Sequence, residues 1–106
     1  MSPMGIAILD QDKATVNILA ELIADMGETP SPFIDKDKFL EAINPRSHAI
    51  AIICDEFVDV IEGTKQVYDA IEIVGIGTAG GEESLKAGAA HYLKKPFRAE
   101  EIRRVL

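Results

Sequence analysis

Hydrophobic and polar residues alternate in blocks along the chain, and two short apolar runs end directly on a carboxylate. Residues 49–54 are six consecutive apolar residues, and Asp55 follows them. An uninterrupted, isoleucine-rich run of this length is typical of a central parallel strand that is covered on both faces. Gly5–Leu9 is a second apolar run and is followed by Asp10. We therefore predict two buried strands with acidic residues at their exits.

Between these runs the pattern changes to helical spacing. Residues 13–26 predict a helix with apolar positions at three- and four-residue steps, capped by Asp12 and stopped by Gly27. Residues 29–34 contain two prolines, which lack a backbone donor, so this segment is predicted to be an edge strand. The further predictions are helices at 36–43 and 64–71, a loop at 56–63, a helix of one or two turns before Gly88, strands at 73–77 and 89–93, and a helix at 98–106.

Strands that alternate with helices over the whole length predict an α/β fold with a parallel sheet and helices on both faces. With 106 residues the chain is expected to be a single domain, residues 1–106. The flavodoxin-like strand order 2-1-3-4-5 suits a chain whose second strand is the edge, and the third and fourth helices are predicted to be short. The crevice of that fold lies between strands one and three, where Asp10 and Asp55 emerge.

The net charge of the chain limits the classes of molecule that it is expected to bind directly. Eighteen acidic and eleven basic residues give a net charge of −7, which disfavours nucleic acids and anionic membranes as direct partners. The sequence has no apolar span of membrane length and no leader, and the lone Cys54 cannot form an internal disulfide. We expect a soluble cytoplasmic protein.

The residues at the predicted strand ends form a set suited to a phosphoryl group. Two neighbouring carboxylates, Asp10 and Asp55, repel each other unless a cation lies between them, and Mg²⁺ prefers such oxygen ligands. Thr78 ends the fourth predicted strand with a hydroxyl, and Lys95 follows the fifth with an ammonium. Both groups can bind phosphoryl oxygens, so Asp55 is placed to be the nucleophile that forms an aspartyl phosphate.

These residues resemble the receiver domain of two-component response regulators over nearly the whole chain. The similar positions are Asp10-Gln11-Asp12, Asp55, Gly63 eight residues later, Thr78-Ala79, and the sequence AGAAHYLKKPF at residues 87–97. The last stretch is the most specific of them.

The resemblance implies a role for each of these positions. Asp55 would be the phosphoacceptor, Thr78 the switch hydroxyl, Tyr92 the aromatic residue whose rotamer reports phosphorylation, and Lys95 the phosphoryl-binding lysine. The Lys95-Pro96 bond is often cis in the family. The implied Mg²⁺ ligands are Asp10, Asp55, the backbone carbonyl of Phe57, and either Gln11 or Asp12. The phosphoryl donor would be a phosphohistidine on a sensor histidine kinase or phosphotransfer protein, and the output protein is not indicated by the sequence.

The sequence also departs from the family pattern. Gln11 replaces a second acid that would bind the metal, so a weakened Mg²⁺ affinity is expected, and the usual Met-Pro pair after the phosphoacceptor is absent. The main hypothesis is an autocatalytic phosphoacceptor that signals through a changed surface near strands four and five, without turnover on a foreign substrate. The alternative is a degenerate receiver that acts as a phosphorylation-independent interaction module.

Two other classes fit the sequence less well. Asp10-Gln11-Asp12 is similar to the Asp-x-Asp motif of haloacid dehalogenase-like phosphatases, but Ala14 stands where that family has Thr or Val, and the chain is short for it. A flavin or nucleotide binder is disfavoured because no glycine-rich phosphate loop follows the first strand.

Overall fold

The computed structural model describes residues 4–106, which form one five-stranded sheet with five surrounding α-helices. The strands are β1 (Gly5–Leu9), β2 (Thr29–Phe33), β3 (Ile50–Cys54), β4 (Glu72–Gly77) and β5 (His91–Lys94). The helices are α1 (Lys13–Asp25), α2 (Lys36–Ala42), α3 (Val58–Val67), α4 (Glu82–Ala87) and α5 (Ala99–Val105). Residues 1–3 of the predicted domain lie outside the described residues.

All pairs of neighbouring strands are parallel, and the strand order is β2-β1-β3-β4-β5. This confirms the predicted α/β class and the flavodoxin-like order. Strand β2 is the edge strand, as its two prolines predicted, with Pro30 opposite Ile6 and Pro32 opposite Ile8. Because proline has no N–H to donate, these positions are tolerated only where one side of the strand has no further neighbour.

The core is centred on β3, all five residues of which are buried. Its isoleucines pack on both faces because helices cover each side of the sheet, which is why the run shows no alternation of apolar and polar residues. Burial of each such side chain stabilises the fold by about 1.5–3 kcal/mol relative to exposure. The strand leaves this core at Asp55, so the carboxylate stands where the apolar environment ends.

Helix α1 begins and ends where the sequence predicted. The side chain of Asp12 accepts a hydrogen bond from the backbone N–H of Ala14 at 3.2 Å, and Gly27 has a φ of 84°, the left-handed conformation that follows many helices.

The third helix was predicted in the wrong place. Residues 56–63 were predicted as a loop, but Asp55–Phe57 form a 3₁₀ turn and α3 starts at Val58, so most of that segment is helical. Val60, Ile61 and Thr64 are its buried face, and the acids between them point to solvent. Helix α4, with six residues, is short as predicted, whereas α3 with ten residues is longer than α2 and α5, which have seven each.

Gly63, which lies inside α3, gives a test of this assignment. A Cβ added there would have no atom within 4 Å, and its φ is not positive, so Gly63→Ala is expected to stabilise the chain by about 0.5–1 kcal/mol. Gly27→Ala is the matched control: it also has no atom within 4 Å, but its φ of 84° strains an alanine, so it should destabilise. Urea unfolding of the two variants measures whether the free energy of unfolding rises for Gly63→Ala and falls for Gly27→Ala. A destabilised Gly63→Ala would argue against a helix at this position.

Candidate functional site

The chemically active side chains lie at one edge of the sheet, where the parallel strands end. Asp10 follows β1, Asp55 follows β3, Thr78 follows β4 and Lys95 follows β5. Because these strands are parallel neighbours, their carboxyl ends meet at the same edge. Residues far apart along the chain are thereby brought to one surface.

The closest contact at this edge joins Asp10 to Lys95. Lys95 Nζ lies 2.7 Å from Asp10 Oδ2, and the Asp10 side chain is only 2% exposed. The other carboxylate oxygen, Oδ1, accepts the backbone N–H of Asp12 at 2.9 Å. Burial alone would lower the pKa of Lys95, but the hydrogen bond and the charge of Asp10 outweigh it and raise that pKa above its ordinary value. Lys95 therefore stays positively charged at neutral pH.

Asp55 is half-buried, and its Oδ2 atom accepts two hydrogen bonds. The Tyr92 hydroxyl donates to Oδ2 at 2.8 Å, and the backbone N–H of Ala79 donates to it at 3.2 Å. Within residues 4–106, the other oxygen, Oδ1, accepts a hydrogen bond only from the Cys54 thiol, with the sulfur at 3.8 Å. Burial raises the pKa of that thiol to about 11, and the charge of Asp10 adds to the rise, so Cys54 stays protonated at neutral pH. Asp55 therefore has one firmly held and one loosely held oxygen.

Gly77, the last residue of β4, makes room for the Asp55 carboxylate. A Cβ built on Gly77 would lie 2.1 to 2.4 Å from the three atoms of that carboxylate group. No side chain larger than hydrogen fits while Asp55 keeps its position. Our sequence reasoning missed this residue. The available signal was a glycine inside a strand, which often marks a close approach by another group.

Thr78 is exposed at the same edge but borders a different hollow from Asp55. The hollow beside Thr78 is about 370 Å³ and is lined by Thr15, Ile18, Thr78, Lys95, Pro96 and Phe97. Asp55 lines a hollow of about 430 Å³ with Glu56 and residues 79–84. Within the part of the chain that the structure describes, the Thr78 hydroxyl makes no hydrogen bond, which leaves it available to a ligand. The Lys95-Pro96 peptide bond between strand and α5 is cis, as the resemblance implied.

Comparison with known proteins agrees with this arrangement. The chain is 32% identical over 107 aligned positions to the response regulator protein TodT of Pseudomonas putida, an alignment that covers 92% of this chain. Its fold superposes on the receiver domain of NtrX from Brucella abortus with a TM-score of 0.84, at 22% identity and with 94% and 92% of the two chains covered. A CheY-like receiver domain protein from Methanospirillum hungatei gives a TM-score of 0.89 at 17% identity, covering 98% and 90%. The chain has the receiver-domain fold of response regulators.

The receiver spans about half the length of the curated relatives that it matches, 47% of TodT. No protein-family model matches the chain. The two structural likenesses are below 25% identity and establish the fold alone. Within residues 4–106, no helix combines the length and apolar character needed to cross a bilayer.

The predicted metal ligands of this receiver differ in how they are held. Asp12 is turned toward α1, because its Oδ2 accepts the Thr15 hydroxyl at 2.7 Å and its Oδ1 caps the helix. The Thr15 hydrogen bond is the main cause that lowers the pKa of Asp12. Gln11 is exposed, and Phe57 ends the 3₁₀ turn that follows β3. Of the two candidates for the remaining ligand, Gln11 is therefore the freer one.

The oxygen atoms at this edge are of the type that binds Mg²⁺, although few of them are negatively charged. Residues 4–106 contain no cluster of three or more His, Cys, Asp or Glu side chains that could hold a metal. A divalent ion would depend on the carboxylates of Asp10 and Asp55 together with neutral oxygens, the Gln11 amide and the Phe57 carbonyl. Hard oxygen ligands of this type, completed by water, are what Mg²⁺ accepts. The donor set predicts a weak Mg²⁺ site.

Proposed function

We propose that this receiver accepts a phosphoryl group on Asp55 from a phosphohistidine of a sensor histidine kinase or phosphotransfer protein. One Asp55 oxygen would attack phosphorus, the phosphorus–nitrogen bond of the donor would break, and the imidazole would leave with its electron pair and take a proton. The observation that supports this most is the setting of Asp55. Its carboxylate lies at a strand end with a backbone N–H on one oxygen, at the same sheet edge as the ion pair of Asp10 and Lys95.

The chain's own groups have separate parts in this reaction. The Lys95 ammonium would neutralise charge on the phosphoryl oxygens, and the Thr78 hydroxyl and the Ala79 N–H would donate hydrogen bonds to them. Asp10 keeps Lys95 charged and in place. Bound Mg²⁺ would add positive charge at the transferring group. Since the product stays attached to Asp55, the receiver would be a phosphoacceptor and not an enzyme with turnover on a foreign substrate.

Signalling would follow from a change in the surface near β4 and β5. Thr78 and Tyr92 are the residues that would respond, because Tyr92 in β5 binds Asp55 and Thr78 follows β4 at the same edge of the sheet. The partner that reads this surface would be an output protein or domain. Direct binding to nucleic acid or to an anionic membrane is not part of the proposal, because the net charge is −7. A location in the cytoplasm stays a prediction.

Incubation with acetyl phosphate, followed by measurement of the intact mass, tests this function. With Mg²⁺ we expect the mass of one phosphoryl group to be added, with less added when the metal is chelated. Asp55→Asn should abolish the gain. Asp59→Asn is the matched control, because it makes the same chemical change on a side chain that is 67% exposed and forms an ion pair with the exposed Lys36. An inert wild-type chain at saturating Mg²⁺ would contradict phosphoryl acceptance.

That inert result would instead favour a second function, a phosphorylation-independent interaction module. One observation supports it: the acidic groups at the site are already bonded within the chain. Asp10 Oδ1 and Oδ2 bind the backbone of Asp12 and the Lys95 ammonium, and Asp55 Oδ2 binds Tyr92 and Ala79. A module of this kind would bind its partner equally well as wild type and as Asp55→Asn.

A further inference from the structure

Tyr92, in strand β5, has its ring in a slot between two glycines. A Cβ on Gly81 would lie 2.6 Å from the ring atoms Cδ1 and Cγ, and a Cβ on Gly75 would lie 3.1 Å from Cδ2 on the other side. Gly81 also has a φ of 87°, which an alanine rarely adopts. The slot therefore exists because both positions lack a side chain, and it directs the ring toward the end of the sheet.

At the end of this slot the Tyr92 hydroxyl meets two acceptors. Asp55 Oδ2 is 2.8 Å away, and the backbone carbonyl oxygen of Ala79 is 3.1 Å away. A phenol has a single proton, so it donates fully to only one of these oxygens at a time. The shorter distance and the negative charge favour Asp55. The carbonyl of Ala79 is the alternative acceptor, reached without moving the ring out of the slot.

We propose that the Tyr92 hydroxyl restrains the phosphoacceptor of the resting chain through its direct hydrogen bond to Asp55 Oδ2. A donor on a carboxylate oxygen draws negative charge from the nucleophile and fixes its rotation. This makes Tyr92 a positioning residue that slows phosphorylation of the resting chain, a role that rests on the proposed function of Asp55.

The raised pKa of Tyr92 is consistent with a hydroxyl that keeps its proton and donates a hydrogen bond. Burial raises the pKa of the phenol, and the hydrogen bond and charge of Asp55 raise it further. The hydroxyl therefore keeps its proton throughout the neutral range, and the restraint does not vary with pH there.

The rate of labelling by acetyl phosphate in Mg²⁺ tests the restraint. Tyr92→Phe keeps the ring in the slot and removes only the hydroxyl, and we expect it to be labelled on the order of tenfold faster than wild type, the usual effect of a hydrogen bond to a charged group. Tyr68→Phe is the matched control and should react at the wild-type rate, since Tyr68 makes no hydrogen bond to Asp55. Labelling of Tyr92→Phe at or below the wild-type rate would overturn the proposal.

A second measurement tests the contact without any phosphorylation. The chain has two tyrosines and no tryptophan, so NMR of tyrosine labelled with ¹³C at the Cζ carbon gives two resonances. Asp55→Ala should move the Tyr92 resonance and leave that of Tyr68 unchanged. Gly81→Ala should move it as well, whereas Gly80→Ala should not, because a Cβ on Gly80 meets no atom within 4 Å. A Tyr92 resonance that is unaffected by Asp55→Ala would overturn the proposed contact.

The two measurements together separate this proposal from the proposed function. If the resonance responds to Asp55→Ala but neither wild type nor Tyr92→Phe is ever labelled, phosphoryl acceptance fails and the contact stands. If wild type is labelled but Tyr92→Phe is no faster, Asp55 is a phosphoacceptor and the restraint fails. An inert wild type with a reactive Tyr92→Phe would support the restraint and contradict phosphoryl acceptance by the wild-type chain.

Discussion

Gly77→Ala is expected to lower the rate of phosphorylation at Asp55 by about a hundredfold, because a displacement of about 1 Å at a reacting group has effects of that size. The added Cβ would lie 2.1 to 2.4 Å from the carboxylate atoms of Asp55. Since the carboxylate is at the end of a short side chain, it can rotate away, so the chain should still fold. In rotating it moves away from the Ala79 N–H, which would donate to the phosphoryl oxygens, and this loss is expected to outweigh the release from the restraining Tyr92 hydroxyl.

The matched control for this variant is Gly80→Ala, three residues along the same segment. A Cβ on Gly80 has no atom within 4 Å and its φ is not positive, so labelling at the wild-type rate is expected. Thermal unfolding followed by circular dichroism should show that Gly77→Ala is folded at the assay temperature. A folded Gly77→Ala that is labelled as fast as wild type would mean that Asp55 does not need the position seen here.

Lys95→Met is expected to have the largest effect on stability and to stop phosphorylation as well. It leaves the Asp10 carboxylate, which is 2% exposed, without its cation. Removing one partner of a buried ion pair costs about 3–5 kcal/mol, and the lower end is expected here because Lys95 itself is 21% exposed. Denaturant unfolding measures the loss. The control is Lys94→Met, an exposed neighbour for which the described residues give no ion pair.

A double variant and a pH series show whether the ion pair causes the loss. Adding Asp10→Asn to Lys95→Met removes the unpaired charge and should recover part of the stability. The raised pKa of Lys95 in the folded chain means that the pair contributes fully below the ordinary lysine pKa of 10.5. Its contribution is lost as the pH rises through the higher folded value. The free energy of unfolding of wild type should therefore fall over that alkaline range relative to that of Lys95→Met. If the free energies of unfolding of the two proteins change in parallel with pH, the ion pair does not contribute importantly to stability.

The sheet and the ends of its strands were predictable because their signals are local. The apolar run that ends at Asp55 and the run that ends at Asp10 each identify a buried strand and its exit without reference to the rest of the chain. Two prolines identified the edge strand in the same way. Once the strand order is known, parallel strands place Asp10, Asp55, Thr78 and Lys95 at one edge.

Other features depend on tertiary structure and were missed for that reason. Residues 56–63 were predicted as a loop, yet Gly63 lies inside α3, where packing of Val60, Ile61 and Thr64 against the sheet overrides its low helix propensity. The need for glycine at position 77 becomes visible only when β4 lies beside the end of β3. The contact between Tyr92 and Asp55 spans 37 residues, and no spacing along the chain predicts it.

Two carboxylates, Asp10 and Asp55, lie at this edge, and we propose that only Asp55 receives the phosphoryl group. Asp10 is buried and bound to Lys95, whereas Asp55 is half-buried with one loosely held oxygen. Treatment with acetyl phosphate and Mg²⁺, reduction of the acyl phosphate with borohydride and peptide mapping by mass spectrometry locate the modified residue directly. We expect modification of Asp55 alone; modification of Asp10 or another residue, or of none, would contradict phosphoryl acceptance at Asp55.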